Sequence, residues 1–585
     1  MDRDAFLKKA QDYCLLETHD HFRNEVETLL KNNDLNELTD RFYTELSFGT
    51  GGLRGIIGGG YNRMNPLVVR KATQGLANYV NRIFKDKKSA VIAFDSRHYS
   101  EVFALEAAGV LCGNGITTYV FTSLRPTPEL SFAVRMLEAK TGIVITASHN
   151  PPEYNGYKVY WDDGSQVIAP HDEGIIREAR TVSTKINSIP EQEALARGLL
   201  IRIDKQVDSP FLVMVKQQIL RPEMIKKHGK KLKLVYTPLH GTGLLPIYTV
   251  LTELGLKVTV VPEQKEPDGD FPTVTHPNPE EAEAMQLALK LAAEIKADLV
   301  MGTDPDADRL GIAVRVGSDF PLITGNQLGV LLTDYLFSSK KELGILPERP
   351  ALIKTIVTTE LQRLIAERYQ AVCYDTLTGF KYICAKIRDF EKQKQGPHFV
   401  FGNEESYGYL IHDQVRDKDA VTAAVLTAEM ALFYLLRGKT LVGRLEELFY
   451  EYGYFEETQV SKYFAGQSGM QVMQSIMEKL RTAAAGTFAG RKIVYKKDYL
   501  EGTTLNIKTG EKKKNIDLPP SNVIQLILED ETIISARPSG TEPKIKFYAS
   551  CRTKPGMALR KAQRLAKEKI SLVSRELHAL TETAG

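Results

Sequence analysis

Short apolar runs ending in glycine or polar turns, with helix-period segments between them, constrain this chain more than any other feature. Residues 90–94, 234–236 and 351–357 are such runs, and residues 281–292 and 421–436 carry the helical pattern. Strands too short to be helices, alternating with helices, predict parallel sheets with helices packed on both faces. In open sheets of this kind ligands gather at the C-terminal ends of the strands. The residues just after each apolar run are therefore where chemistry is expected.

Four such segments stand out. The run at residues 142–145 leads into Thr146-Ala147-Ser148-His149-Asn150-Pro151-Pro152, continuing through Tyr157-Lys158. Asn-Pro and Pro-Pro stop the strand, because proline fixes φ and has no amide donor. A hydroxyl is thus presented on a stiff loop, although a turn serine can also simply bond its own turn. The second segment is Gly302-Thr303-Asp304-Pro305-Asp306-Ala307-Asp308-Arg309. Three carboxylates this close repel unless something positive sits among them. They suit a hard divalent cation held by oxygens, and so few carboxylates favour Mg²⁺ over an all-protein calcium cage. An EF-hand would need glycine where Arg309 stands and glutamate where Arg315 stands.

The third segment, Gly402-Asn403-Glu404-Glu405-Ser406-Tyr407-Gly408, offers carboxylates and a hydroxyl to sugar hydroxyls, which both donate and accept. It reads equally as a helix N-terminus with acids in its first turn. The fourth, Arg537-Pro538-Ser539-Gly540-Thr541-Glu542-Pro543-Lys544, has the make-up of an anion cradle or of a charged surface hairpin.

Composition adds exclusions. The 585 residues carry 76 basic and 73 acidic side chains, a net charge of +3, so bulk electrostatics give no case for nucleic acid or a membrane surface. Cys14, Cys112, Cys373, Cys384 and Cys551 are scattered without CxxC spacing, which argues against a disulfide framework and a zinc site. Met1-Asp2-Arg3-Asp4 opens a charged amphipathic helix rather than a signal peptide, and no apolar run is long enough to span a bilayer, so a cytoplasmic location is expected. Gly49-Thr50-Gly51 and Gly241-Thr242-Gly243 lack the third glycine of a dinucleotide fingerprint, and no Walker loop is present. The stretch Glu511-Lys512-Lys513-Lys514 reads as a solvated loop.

Together the four segments resemble, in order, the serine, metal, sugar-recognition and phosphate loops of the α-D-phosphohexomutase superfamily. Further matches are Phe48 to Gly55, Phe94-Asp95-Ser96-Arg97, Pro238 to Gly243 and Thr376-Leu377-Thr378-Gly379-Phe380-Lys381. The length and the wording Val415-Arg416-Asp417-Lys418-Asp419 look closest to the long-chain phosphoglucomutase/phosphopentomutase branch.

The resemblance implies three similar mixed-sheet α/β domains and a smaller C-terminal α+β domain around a central active-site cleft. Boundaries are placed at 1–204, 205–320, 321–454 and 455–585. It also implies a phosphosugar mutase working through phospho-Ser148 and a sugar 1,6-bisphosphate, which also serves as primer and activator, with Mg²⁺ on Asp304, Asp306, Asp308 and the Ser148 phosphate. Arg309 would neutralise the moving phosphoryl group. The base is open among Lys158, the first choice, Lys381 and His149; a lysine base needs a depressed pKa. Arg54, Lys381, Glu404 and Ser406 are expected on the sugar, and Arg537, Ser539, Gly540, Thr541 and Lys544 on the non-reacting phosphate.

The expected substrate is glucose 1-phosphate, with phosphopentomutase and phosphomannomutase activities as alternatives because Tyr407, Tyr409 and Phe380 depart from several relatives. A sugar phosphate is the expected partner, with no nucleic acid or membrane and the oligomeric state open. A phosphatase, or a non-catalytic sugar-phosphate sensor, could be built on the same motifs.

Overall fold

The computed structural model describes residues 3–46, 49, 51–182, 185–464, 466–482, 486–538 and 544–582. Two compact units emerge, one of residues 1–328 with 383–438 and one of residues 329–382 with 439–585.

The first unit opens with three helices, Arg3–Leu16, Asp20–Lys31 and Leu35–Phe42, which bury Tyr13, Val26, Leu38 and Phe42 in one core with Leu67. A six-stranded sheet follows, made of β1 (Gly52–Ile56), β2 (Ser89–Phe94), β3 (Thr117–Phe121), β4 (Thr141–Ile145), β5 (Tyr154–Trp161) and β6 (Leu200–Ile203). Its order is β1-β5-β4-β2-β3-β6. β4 pairs in parallel with β2 but antiparallel with β5, and β1 is antiparallel to β5. The sheet is therefore mixed, as the family resemblance implied, although the alternation alone pointed to parallel pairing. The proline turn after β4 sends the chain straight back as β5, and two adjacent strands joined by a tight turn must run antiparallel.

A second sheet comprises β7 (Lys233–Thr237), β8 (Lys257–Val260), β9 (Leu299–Thr303), β10 (Leu310–Val314) and β11 (Leu322–Ile323), in the order β11-β10-β9-β7-β8. It repeats the plan: β7, β8 and β9 are parallel, and β10 returns antiparallel after the aspartate loop. In both sheets the strand before the chemical loop is wholly buried, as the apolar runs require.

β12 (Pro350–Thr355) and β13 (Val372–Thr376) pair in parallel within the second unit. β14 (His398–Glu404) and β15 (Gly408–Leu410) form an antiparallel hairpin in the first. Glu404 thus ends a strand of a hairpin, which replaces the helix-start reading of that loop. The helix Ala420–Leu435 is buried along almost its whole length, and its N-terminus is capped by the Asp419 side chain accepting from the Thr422 amide.

The C-terminal part of the second unit is an antiparallel sheet of β16 (Phe455–Tyr463), β17 (Thr487–Phe488), β18 (Arg491–Asp498), β19 (Thr503–Asn506), β20 (Lys512–Lys514), β21 (Ile524–Leu528), β22 (Ile533–Pro538) and β23 (Lys544–Arg552). The helix Leu559–Glu582 packs on β16 and β23. Lys512 to Lys514, expected as a loop, pair with Leu505 to Thr503 as an exposed edge strand. Charged edge strands resist pairing with other chains, so the lysines suit that place.

Candidate active site

Three loops of the first unit meet, each bent at a non-glycine residue in the left-handed region: Ser148 (φ 54°), Ala307 (φ 49°) and Tyr407 (φ 62°). Such conformations cost of order 1–3 kcal/mol and persist where the surroundings over-determine them. Around Ser148 those surroundings are explicit. The Arg97 guanidinium donates to the carbonyls of Ser148 (2.5 Å), Asn150 (2.6 Å), Pro151 (2.8 Å) and Tyr154 (3.0 Å). The Thr146 hydroxyl accepts from the Ser148 amide at 2.8 Å. Gly156 lets the strand after the turn come close, since a Cβ there would lie 2.5 Å from the Thr146 carbonyl oxygen.

Ser148 Oγ donates to Asp304 Oδ2 at 2.6 Å and lies 3.2 Å from His149 Nδ1. The serine and aspartate loops, 156 residues apart in sequence, are in direct contact. They are held there by Thr127, whose amide donates to the Asp306 carbonyl at 2.9 Å and whose hydroxyl donates to Asp306 Oδ2 at 2.8 Å. The third loop is tied to the second by a bridge between Arg309 and Gly408 and by the Leu310 amide donating to the Tyr407 carbonyl.

Asp304, Asp306 and Asp308 are buried and offer carboxylate oxygens all within 4.8 Å of one another. Oδ1 of Asp306 and Oδ1 of Asp308 are buried without a hydrogen-bond partner. Unpaired buried carboxylate oxygens converging on one point fit a divalent cation, which takes oxygen ligands only. This donor set could hold a metal ion. Asp304 is pushed well above the usual carboxylate range by burial and by its neighbours Asp306 and Asp308. Asp308 is held below that range because Lys418, Lys158 and Arg309 outweigh its burial.

The cations form the opposite wall of a cleft of about 240 Å³ lined by Arg54, Ser148, His149, Lys158, Arg309 and Lys418 among others. Lys158 Nζ donates to Asp306 Oδ2 at 2.7 Å and to Asp308 Oδ2 at 3.3 Å. Burial disfavours the charge on Lys158, but Asp306 and Asp308 more than restore it, so its pKa is raised. Burial, with Arg309 and Arg54 nearby, pushes His149 well below its ordinary value. Arg309 Nη1 donates to Glu280 at 2.6 Å, and Arg54 Nη1 donates to Asn150 at 3.0 Å. Glu404 is pushed up to about 7 by burial, with Lys418 drawing it down and Glu405 raising it further. Ser406 is half-buried on the turn beyond it.

The remaining expected residues that the structure describes belong to the second unit. Lys381 begins the helix Phe380–Glu391 in the second unit, with its ammonium 5.2 Å from the Tyr382 ring centroid. Arg537 and Lys544 stand on β22 and β23, the two arms of a hairpin, and Lys544 Nζ donates to the Tyr463 hydroxyl at 2.6 Å. Ser539, Gly540 and Thr541 lie outside the described residues.

Sequence reasoning met Lys418 and Arg97 only inside family-like stretches, with no role assigned, and did not single out Thr127. Lys418 Nζ reaches Asp308 Oδ2 at 2.9 Å and Asp417 Oδ1 at 3.3 Å. Asp417 is in turn fixed by the Tyr160 hydroxyl at 2.6 Å and Gln166 Nε2 at 3.0 Å. Gly408 makes room for this lysine, since a Cβ there would stand 2.3 Å from Lys418 Cδ. The one available signal for Lys418 was its place immediately before the apolar helix at residues 421–436, where an exposed loop would not need a buried cation.

Three family models match the chain: phosphoglucomutase/phosphomannomutase α/β/α domain I over residues 45–185, domain II over 209–317 and domain III over 324–452. A phosphoglucomutase of Staphylococcus haemolyticus is 37% identical over 513 residues, covering 87% of this chain and 91% of that protein. A phosphoglucomutase of Staphylococcus aureus is 36% identical over 553 residues, covering 94% and 95%. Among solved structures, the open form of pp63/parafusin (phosphoglucomutase) from Paramecium aligns at a TM-score of 0.68 with 16% identity, covering 91% of this chain and 95% of that one. A phosphoglucomutase/phosphomannomutase family protein of Burkholderia thailandensis aligns at 0.65 with 18% identity, covering 92% and 98%. At these identities the two structures speak for the fold: α/β domains with mixed sheets, followed by a C-terminal domain of sheet and helix. No described helix is long and apolar enough to cross a membrane.

Proposed function

This chain belongs to the phosphoglucomutase/phosphomannomutase family of phosphosugar mutases, and we propose that it interconverts glucose 1-phosphate and glucose 6-phosphate through a phosphoserine at Ser148. The observation that carries the reading is the 2.6 Å contact between Ser148 Oγ and Asp304 inside a cleft walled by cations. A serine alone has no phosphoryl group to give, so the reaction starts from phospho-Ser148. A sugar hydroxyl attacks the phosphorus, the bond to Ser148 Oγ breaks, and the hydroxyl proton passes to a base. The product is a sugar 1,6-bisphosphate, which turns end for end and returns its other phosphoryl group to Ser148.

Asp304, Asp306 and Asp308 would hold Mg²⁺ together with an oxygen of the Ser148 phosphate. Bound there, the ion supplies charge neutralisation for the phosphoryl oxygens. Lys158, Lys418 and Arg309 are positioned to receive the same oxygens, and Arg54 lines the cleft beside them. Lys158 and His149 are both candidate bases on that wall, and Lys381 is the third. Rapid-quench transfer from the phosphoenzyme in Lys158→Met, His149→Gln and Lys381→Met identifies the base as the residue whose loss stops transfer at every pH.

Glu404 and Ser406 are assigned to the sugar hydroxyls in either orientation. Arg537, Ser539, Gly540, Thr541 and Lys544 are assigned to the phosphate that is not reacting. We place the domains at 1–204, 205–320, 321–454 and 455–585 and the protein in the cytoplasm. The test is kcat/KM on glucose, mannose and ribose 1-phosphates, with phosphate mapped by mass spectrometry. Glucose 1-phosphate is expected to lead and the phosphate to sit on Ser148. Preference for another sugar overturns the substrate, and full activity without modified Ser148 overturns the mechanism.

A further inference from the structure

Beside β1 lies a second cavity of about 260 Å³. Its apolar wall is made by Leu46, Leu53, Tyr61, Val68 and Ile176, drawn from the segments before and after β1, β1 itself and the helices Pro66–Ile83 and His171–Thr181. Two cations also line it. Lys71 is half-buried, stands 5.0 Å from the Tyr61 ring centroid and pairs with Glu45 at 3.3 Å. Arg180 is exposed and has no ion-pair partner among the described residues. With Glu45 offsetting only Lys71, the lining keeps one uncompensated guanidinium beside an apolar hollow.

Small-molecule sites are mostly apolar hollows with a few placed polar groups that fix orientation, which here are Thr44, Glu45, Lys71 and Arg180. The volume lies just below the range of about 300–1,000 Å³ usual for drug-sized ligands, which selects something smaller. A guanidinium offers a planar fork matched to a carboxylate.

Leu53 lines both this cavity and the catalytic cleft. Its neighbours Gly52 and Arg54 line the cleft, and β1 is paired to β5 in the register Gly52 to Lys158 and Leu53 to Tyr157. Anything that presses on Leu53 therefore acts on the strand that carries Arg54 and is hydrogen-bonded to the strand that carries Lys158. We propose that this cavity is a second ligand site, for a small carboxylate on a flat apolar body, and that its occupancy is sensed in the catalytic cleft through β1. The binding claim stands by itself; its effect on turnover rests on the mutase reading given above.

The probe is indole-3-acetate at millimolar concentration, observed by saturation-transfer NMR on the full-length protein. Transfer is expected in the wild type, and it should persist in saturating glucose 1-phosphate. Arg180→Ala should weaken binding by about tenfold, the loss of one charge-assisted contact, and Ile176→Trp, which fills the hollow, should abolish it. Neither residue belongs to the cleft, so both variants keep basal turnover. No transfer to the wild type, transfer unchanged in Ile176→Trp, or transfer removed by glucose 1-phosphate would each overturn the site. The probe should also shift KM for glucose 1-phosphate at least about twofold in the wild type and leave it unmoved in Ile176→Trp. Binding with an unchanged KM would overturn the coupling, and binding with no mutase turnover at all would sink the mutase reading while leaving the site intact.

Discussion

Lys158 and Lys418 reach the same oxygen of Asp308, at 3.3 and 2.9 Å, from strand β5 and from the turn before the helix Ala420–Leu435. Two ammonium groups on one carboxylate oxygen are tolerable only because Asp306 and Asp417 share the charge. Lys418→Met should therefore lower kcat/KM by about 10- to 150-fold, the equivalent of a lost charge-assisted hydrogen bond of about 1.5–3 kcal/mol. Divalent cation affinity, read by calorimetry without substrate, should rise, because a competing cation has gone. Weaker Mg²⁺ binding in the variant would show that Lys418 supports the aspartates rather than competing for them.

Ser148→Ala should abolish the phosphoenzyme and nearly all turnover while leaving sugar-phosphate binding intact. The readouts are intact-protein mass and calorimetric binding of glucose 1-phosphate. Unchanged turnover in the alanine variant is the result that would remove Ser148 from the mechanism.

Arg97 acts on the same loop without lining the cleft. Its guanidinium holds four carbonyls, a geometry that one ammonium cannot reproduce. Arg97→Lys should reduce kcat more than tenfold with KM little changed, since the serine is misplaced and the sugar contacts are not. Hydrogen exchange of residues 146–156 should rise with it. A change confined to KM would mean that Arg97 serves the substrate instead.

Acid should loosen one part of the second unit. The Lys354 ammonium, fully buried, pairs with Glu360 at 2.6 Å and Asp375 at 2.9 Å. Burial alone would raise Glu360, but Lys354 and Arg363 bring it down to about 2 from 4.5. A carboxylate depressed on folding contributes stability that is complete above about pH 4.5 and is lost as pH falls towards 2. Exchange protection of β12 and β13 should drop through that window. In Glu360→Gln it should already be low at pH 7, since breaking a buried pair costs about 3–5 kcal/mol. A variant as protected as wild type at neutral pH would show that the pair contributes nothing net.

The sequence by itself determined the pieces of this protein. Apolar runs at residues 142–145 and 297–301 had to be buried strands, proline had to end the first of them, and three aspartates at spacing two had to attract a cation. Those are local consequences of hydrophobic period, fixed φ and charge repulsion, each settled within a few residues. What local patterning did not reach was which way the next strand ran and which distant charges met. The reversal of β5 and β10 made both sheets mixed. The hairpin β14–β15 replaced a helix start at Glu404. Lys418, met in the sequence only inside a family-like stretch, became a partner of Asp308 only when the helix behind it was buried. Lys158 is drawn towards its charged form for the same reason: the carboxylates beside it lie some 150 residues away along the chain, and only packing fixes that distance.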